Sequence, residues 1–243
     1  MNEIVARPSP NHEPRRAAVV DMLVVHYTGM PTADHARARL TDPAAKVSAH
    51  YLIDEDGRIE ALVAESRRAW HAGLAWWGGE TDINSRSIGL ELVNPGHEFG
   101  YRPFPEAQIA ALIPLVQGIL SRHPIPPYHV VAHADIAPTR KEDPGELFPW
   151  QRLAEQHGIG LWPCGEPVNP PPLPVVLAGL AYYGYDVSDP RAALVAFQRH
   201  FRPWALTGEP DPETCGRLRA LLRHKKEGGL GRAPAGCGRE PAN

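Results

Sequence analysis

Apolar residues recur along this chain in two rhythms, and each rhythm predicts its own kind of element. Residues 19–28 (VVDMLVVHYT) are short, β-branched and almost unbroken in apolar character, which predicts a strand. Strand alternation puts His26 on one face with Val24 and Thr28. A helical pattern follows around Ala33–Leu40, and SAHYLIDEDGRIEALVA predicts two short strands around the acidic turn Asp54–Gly57. SIGLELVN (87–94) is a further strand, with Glu91 on the face of Gly89 and Val93. The period then changes. Over 105–122, Ile109, Leu112, Ile113, Val116, Ile119 and Leu120 recur at helix spacing, with Glu106 in the first turn. Pro114 lacks the N–H for the helical ladder and is expected to disturb that helix. VVAHAD (130–135) predicts another strand, and 148–157 a last short helix. Strands alternating with helices predict an α/β domain with a mixed sheet over residues 1–162. Two stretches lack a period: 1–17 reads as an extended arm, and the aromatic, glycine-rich 70–79 as a surface loop.

Residues 163–174 hold six prolines and predict a stiff linker. Beyond it, 175–223 carries three short helical patterns. Asp189-Pro190 and Asp211-Pro212 each offer an N-cap followed by proline at the first helical position. Leu194, Phe197 and Phe201, then Leu218, Leu221 and Leu222, supply apolar faces for a small three-helix domain, marginal in size by itself. The tail 224–243, rich in Gly, Arg and Lys, is expected to be disordered.

The bulk numbers narrow the function classes. Apolar residues make up 43% of the 243 residues and charged residues 22%, with net charge −3, so no basic surface argues for nucleic acid. Three cysteines, Cys164, Cys215 and Cys237, show no CxxC spacing; a disulfide scaffold is not expected, and a reducing compartment fits better. The N-terminal residues lack an apolar signal region, and no stretch approaches the roughly 18 apolar residues of a membrane span. The expected location is cytoplasmic, or periplasmic if the N-terminus is processed.

The chemistry concentrates in VVAHADIAPTRKEDPG (130–145), where His133, Lys141 and Asp143 lie within eleven positions. With His26 they supply two imidazoles and a carboxylate, the donors of a catalytic zinc that keeps a fourth position for water. Glu91, a charge in an otherwise apolar strand, is the candidate proton acceptor, and Lys141 a cation for a developing oxyanion. Each residue alone has a plainer reading: His26 as a hydrogen-bonded core histidine, Glu91 as half of a salt bridge, Lys141 as a solvated loop residue.

Taken in order, VVHYT, SAHYLID, AWHAG, SIGLELVNPG and HADIAPTRKEDPG resemble the zinc-dependent N-acetylmuramoyl-L-alanine amidases of the type 2 amidase family, which share a fold with peptidoglycan recognition proteins. The resemblance covers about residues 17–162. It implies hydrolysis of the amide between N-acetylmuramic acid, or its 1,6-anhydro form, and L-alanine, in cell-wall turnover or muropeptide recycling. It also implies Zn2+ on His26, His133 and Asp143, with Glu91 and Lys141 catalytic. Tyr27, Trp70 and His71 fall where the family contacts substrate, and His50 reads as structural. Residues 173–223 resemble a small peptidoglycan-binding domain. The implied partner is peptidoglycan or a muropeptide, and a monomer is expected. The competing reading is a non-catalytic peptidoglycan receptor, which requires a broken ligand set.

Overall fold

The strand with the most continuous apolar run lies inside the sheet. In the computed structural model, which describes residues 4–162 and 164–227, β3 (Met22–Tyr27) is buried from Met22 to His26 between two parallel neighbours. The preceding arm is not loose: β1 (Ile4–Ala6) and β2 (His12–Pro14) are both paired strands. After β3 come α1 (Ala33–Thr41), β4 (Tyr51–Ile53), β5 (Ile59–Ala61), β6 (Arg67–Ala69), α2 (Ile83–Arg86) and β7 (Ser87–Leu92). Then follow α3 (Gly96–Phe99), α4 (Glu106–Arg122), a 3-10 turn (Pro127–His129), β8 (Val130–Ala132), α5 (His133–Ile136) and α6 (Trp150–His157). The C-terminal helices are α7 (Leu173–Tyr183), α8 (Pro190–Phe201) and α9 (Pro212–Lys226).

Among the described residues, β1-β5-β4-β7-β3-β8 form one mixed sheet, and β2 pairs antiparallel with β6. β4 and β5 are the antiparallel hairpin expected around Asp54–Gly57; β4–β7, β7–β3 and β3–β8 are parallel. Register sets His26 directly beside Glu91 on β7. Parallel strands gather their carboxyl ends at one edge, where α/β sheets bind ligands.

Helix α4 packs Ile109, Leu112, Leu115, Val116 and Ile119 on the sheet, and Gln108 Nε2 caps the strand ends at Ile53 O (2.9 Å) and Val93 O (3.0 Å). It runs through Pro114 without a break, against the expected disturbance. Pro114 and Ala110 are both exposed, so the carbonyl that the missing N–H leaves free lies on the solvent side of the helix. The arm is locked by Arg15. Its guanidinium donates to the carbonyls of Glu65 (2.8 Å), Asn84 (3.2 Å), Ser85 (2.9 Å) and Ser87 (3.0 Å).

The three C-terminal helices share the main apolar core rather than forming a core of their own. Trp77, expected on a surface loop, is 1% exposed and packs edge-on against Tyr183 and Tyr185. Gly184 (φ +149°) admits it, since a Cβ there would lie 2.5 Å from the indole. The buried Asp135 carboxylate accepts hydrogen bonds from Tyr185 Oη (2.6 Å), His200 Nδ1 (2.7 Å) and the Ala132 amide (2.7 Å). Asp189 and Asp211 cap α8 and α9 as the sequence indicates. Residues 164–172, inside the expected linker, form neither helix nor strand, and α9 continues to Lys226, into the segment expected to be disordered. Residues 228–243 lie outside the described part. Cys215 is free and buried, and Cys237 lies outside the described residues. No described helix is long and apolar enough to cross a membrane.

Candidate active site

Three side chains from distant parts of the chain bring one atom each to a common point. His26 Nδ1 lies 2.9 Å from His133 Nδ1 and 3.1 Å from Asp143 Oδ2, and His133 Nδ1 lies 3.0 Å from Asp143 Oδ2. All three residues are buried. His26 comes from the carboxyl end of β3. His133 is not on a strand as expected: β8 stops at Ala132 and His133 opens the helical turn α5. The strand ends because the Asp135 side chain accepts from the Ala132 amide, closing a turn in place of the ladder.

Asp143 returns to the same point because its loop is tied at both ends. The Ala134 amide donates to Asp143 O (2.9 Å), and the Lys141 amide to Ala137 O (3.0 Å). Beyond it, Tyr101 Oη donates to Pro144 O (2.8 Å) and accepts from the Leu147 amide (2.9 Å). Gly145 (φ +85°) makes this possible, since a Cβ there would sit 2.3 Å from the Tyr101 hydroxyl.

Hydrogen bonds on the far side of each ring decide what faces the common point. His133 Nε2 lies 3.0 Å from Ala72 O, which only accepts, so Nε2 carries the proton and Nδ1 a lone pair. Burial, then the neighbouring His133, pushes His26 down to about 4, so its imidazole is neutral at pH 7. Acceptors set within 3.1 Å of one another repel unless a cation lies among them. The separations approach the edge of about 3.3 Å expected for ligands about 2.0–2.1 Å from a tetrahedral zinc. The donor set therefore fits the ion.

These residues line a cavity of ≈ 420 Å³ whose wall includes Tyr27, Trp70, Glu91, His97, Arg140 and Lys141. Glu91 Oε2 is buried without a hydrogen-bond partner among the described residues. Burial, then the charge of Asp143, raises its carboxyl well above the usual range, with Lys141 opposing. Tyr27 Oη donates to His97 Nδ1 (3.0 Å), because His97 Nε2 is engaged by the Glu146 carboxylate (3.1 Å). Burial raises the Tyr27 phenol to about 12, so it stays a donor.

The expected substrate contacts Tyr27, Trp70 and His71 all stand on the wall, and both ring nitrogens of His71 are engaged by protein groups. Gly89 clears room for that ring: a Cβ there would lie 2.4 Å from it. Arg140 and His97, also on the wall, were not singled out from the sequence; no local pattern separates them from solvated loop residues.

Residues 15–146 match the family described as N-acetylmuramoyl-L-alanine amidase. The chain is 46% identical over 231 residues to the N-acetylmuramoyl-L-alanine amidase AmiD of Escherichia coli, covering 84% of this chain and 82% of that protein. The solved AmiD complex with anhydro-N-acetylmuramic acid-L-Ala-D-gamma-Glu-L-Lys superposes with a TM-score of 0.77 at 44% identity, over 86% and 91% of the two chains. Pseudomonas aeruginosa AmpDh3 with anhydromuramic pentapeptide gives 0.76 at 36% identity, over 86% and 92%. The 1,6-anhydro-N-acetylmuramyl-L-alanine amidase AmpD of Haemophilus influenzae is 34% identical over 60% of this chain and 83% of its own.

Proposed function

This chain belongs to the N-acetylmuramoyl-L-alanine amidase family, and on that footing we propose that it hydrolyses the muramoyl–L-alanine amide with zinc held by His26, His133 and Asp143. It is an enzyme of cell-wall turnover or recycling, and its substrate is N-acetylmuramic acid, or the 1,6-anhydro sugar, amide-linked to L-alanine. The observation that carries the zinc assignment is the meeting of His26 Nδ1, His133 Nδ1 and Asp143 Oδ2 within 3.1 Å. When bound there, zinc supplies Lewis acidity and makes water acidic enough to deprotonate near neutral pH.

Glu91 moves the proton. Its buried, unpartnered Oε2 and raised carboxyl suit a base that works near neutrality. It takes a proton from the attacking water as the new C–O bond forms. It returns that proton to the alanine nitrogen as the C–N bond breaks, so a neutral amine leaves. Lys141 donates toward the oxygen that gains charge in the tetrahedral intermediate. Tyr27 and Trp70 line the groove that receives substrate. The complete donor set argues against a non-catalytic receptor.

Metal analysis of the purified protein, beside mass spectrometry of products from an anhydro-muramoyl peptide, tests this reading. About one zinc per chain and release of free peptide are expected; a metal-free protein, or cleavage at another bond, overturns it.

A further inference from the structure

One histidine of the site has no role in the mechanism above. His71 is 8% exposed and sits behind His26, with the two rings edge to face at 5.1 Å and 81°. Its Nδ1 lies 3.0 Å from His26 Nε2, and its Nε2 lies 3.1 Å from Ser87 Oγ. Ser87 Oγ in turn donates to the Ile83 carbonyl at 2.7 Å.

The direction of every bond in this chain follows from its last member. A carbonyl only accepts, so the single hydroxyl proton of Ser87 is spent on Ile83. Ser87 Oγ must then accept from His71, which places the His71 proton on Nε2. That leaves a lone pair on His71 Nδ1, which accepts from His26 Nε2–H. His26 is thereby left with a bare Nδ1, the atom aimed at His133 and Asp143.

The slot that holds His71 is equally specific. Any side chain at Gly89 would strike the imidazole, and the amides of His71 (3.0 Å) and Ala72 (2.8 Å) both donate to Asn84 Oδ1. The same Asn84 contact places Ala72, whose carbonyl sets the proton of His133. We propose that His71 is a positioning residue: with Ser87 and Gly89 it fixes the tautomer and ring orientation of His26, so that Nδ1 is preorganised as a metal ligand. The proposal rests on the zinc reading of the site.

The test is zinc affinity, measured by competition with a chromophoric chelator on metal-stripped full-length protein. His71→Phe fills the slot but offers no acceptor, whereas His71→Asn keeps an acceptor near the Nδ1 position. Loss of such outer hydrogen bonds costs about 10–100-fold in metal affinity, so His71→Phe should bind zinc that much more weakly. His71→Asn should recover most of the loss at an unchanged melting temperature of the metal-free protein. Nitrogen-15 NMR of the His26 ring gives a second readout. The metal-free wild type should show one tautomer, protonated at Nε2, and His71→Phe a mixture. If His71→Phe does not fold, Ser87→Ala should show the same direction, because it releases the His71 proton. Wild-type affinity in His71→Phe, no recovery in His71→Asn, or an Nδ1-protonated wild type each overturns the proposal. A wild-type protein that binds no zinc overturns the metal reading instead, and this inference falls with it.

Discussion

Replacing Tyr185 with Phe isolates the contact that joins the C-terminal helices to the strand end carrying His133. Asp135 is fully buried; among the described residues its Oδ1 accepts a hydrogen bond from the Tyr185 hydroxyl at 2.6 Å, while His200 and the Ala132 amide serve Oδ2. Burial, then the charge of Asp135, holds that phenol well above its usual pKa, so it is a donor throughout the neutral range. Phenylalanine fills the same space, so no cavity forms and only the hydrogen bond is lost. A hydrogen bond to a charged group contributes about 1.5–3 kcal/mol, and here the oxygen left behind has no water to turn to. The expected cost is about 2 kcal/mol, or about 4–8 °C in melting temperature for a chain of this size. Urea unfolding followed by tryptophan fluorescence, with calorimetry alongside, measures it. Because the bundle and the sheet share one apolar core, both probes should report a single transition. A loss below about 0.5 kcal/mol, the range of ordinary surface substitutions, would refute the claim that this carboxylate depends on Tyr185. Two separate transitions would refute the shared core.

The remaining predictions concern the site and its setting. Glu91→Gln should lower kcat by about 10²–10⁴ while leaving zinc content unchanged; undiminished turnover would remove Glu91 from the mechanism. Glu91 must be ionised to accept a proton and its carboxyl is raised, so the acid limb of the pH–rate profile should lie above the ordinary carboxylate range and vanish in Glu91→Gln. Chelation of the metal should lower the melting temperature, because an ion at about 100 times its Kd contributes about 2.7 kcal/mol to the folded state; an unchanged melt would show that the three donors hold nothing. Burial disfavours the charge on Glu65, but Arg122, Tyr51 and His123 outweigh it and hold the carboxyl at about 2. Its stabilising contribution is present above the unfolded value of about 4.3 and is lost as pH falls toward 2, so Glu65→Gln should flatten the stability–pH curve within that window.

Much of this protein is written locally. The apolar runs around His26 and Glu91, the helical spacing of Ile109 to Ile119 and the caps at Asp189 and Asp211 each depend on neighbours a few positions away, and each element formed. The five ordered motifs also singled out the residues that converge, because donor types and spacing survive as a pattern in one dimension. What the tertiary structure alone decided lies between segments far apart in sequence. His26 meets His71 across 45 positions and His133 across 107, and Asp135 meets His200 across 65. No local period encodes which partner a buried polar group finds. Hence Trp77 read as a surface residue and the paired first strands as an extended arm. In the folded chain most buried donors and acceptors are paired, and strand register together with the space left by Gly89 and Gly184 determines with what. The stretch His133 to Asp143 named a metal site by its chemistry, and only the fold supplied the hydrogen bonds that turn its nitrogens toward the metal.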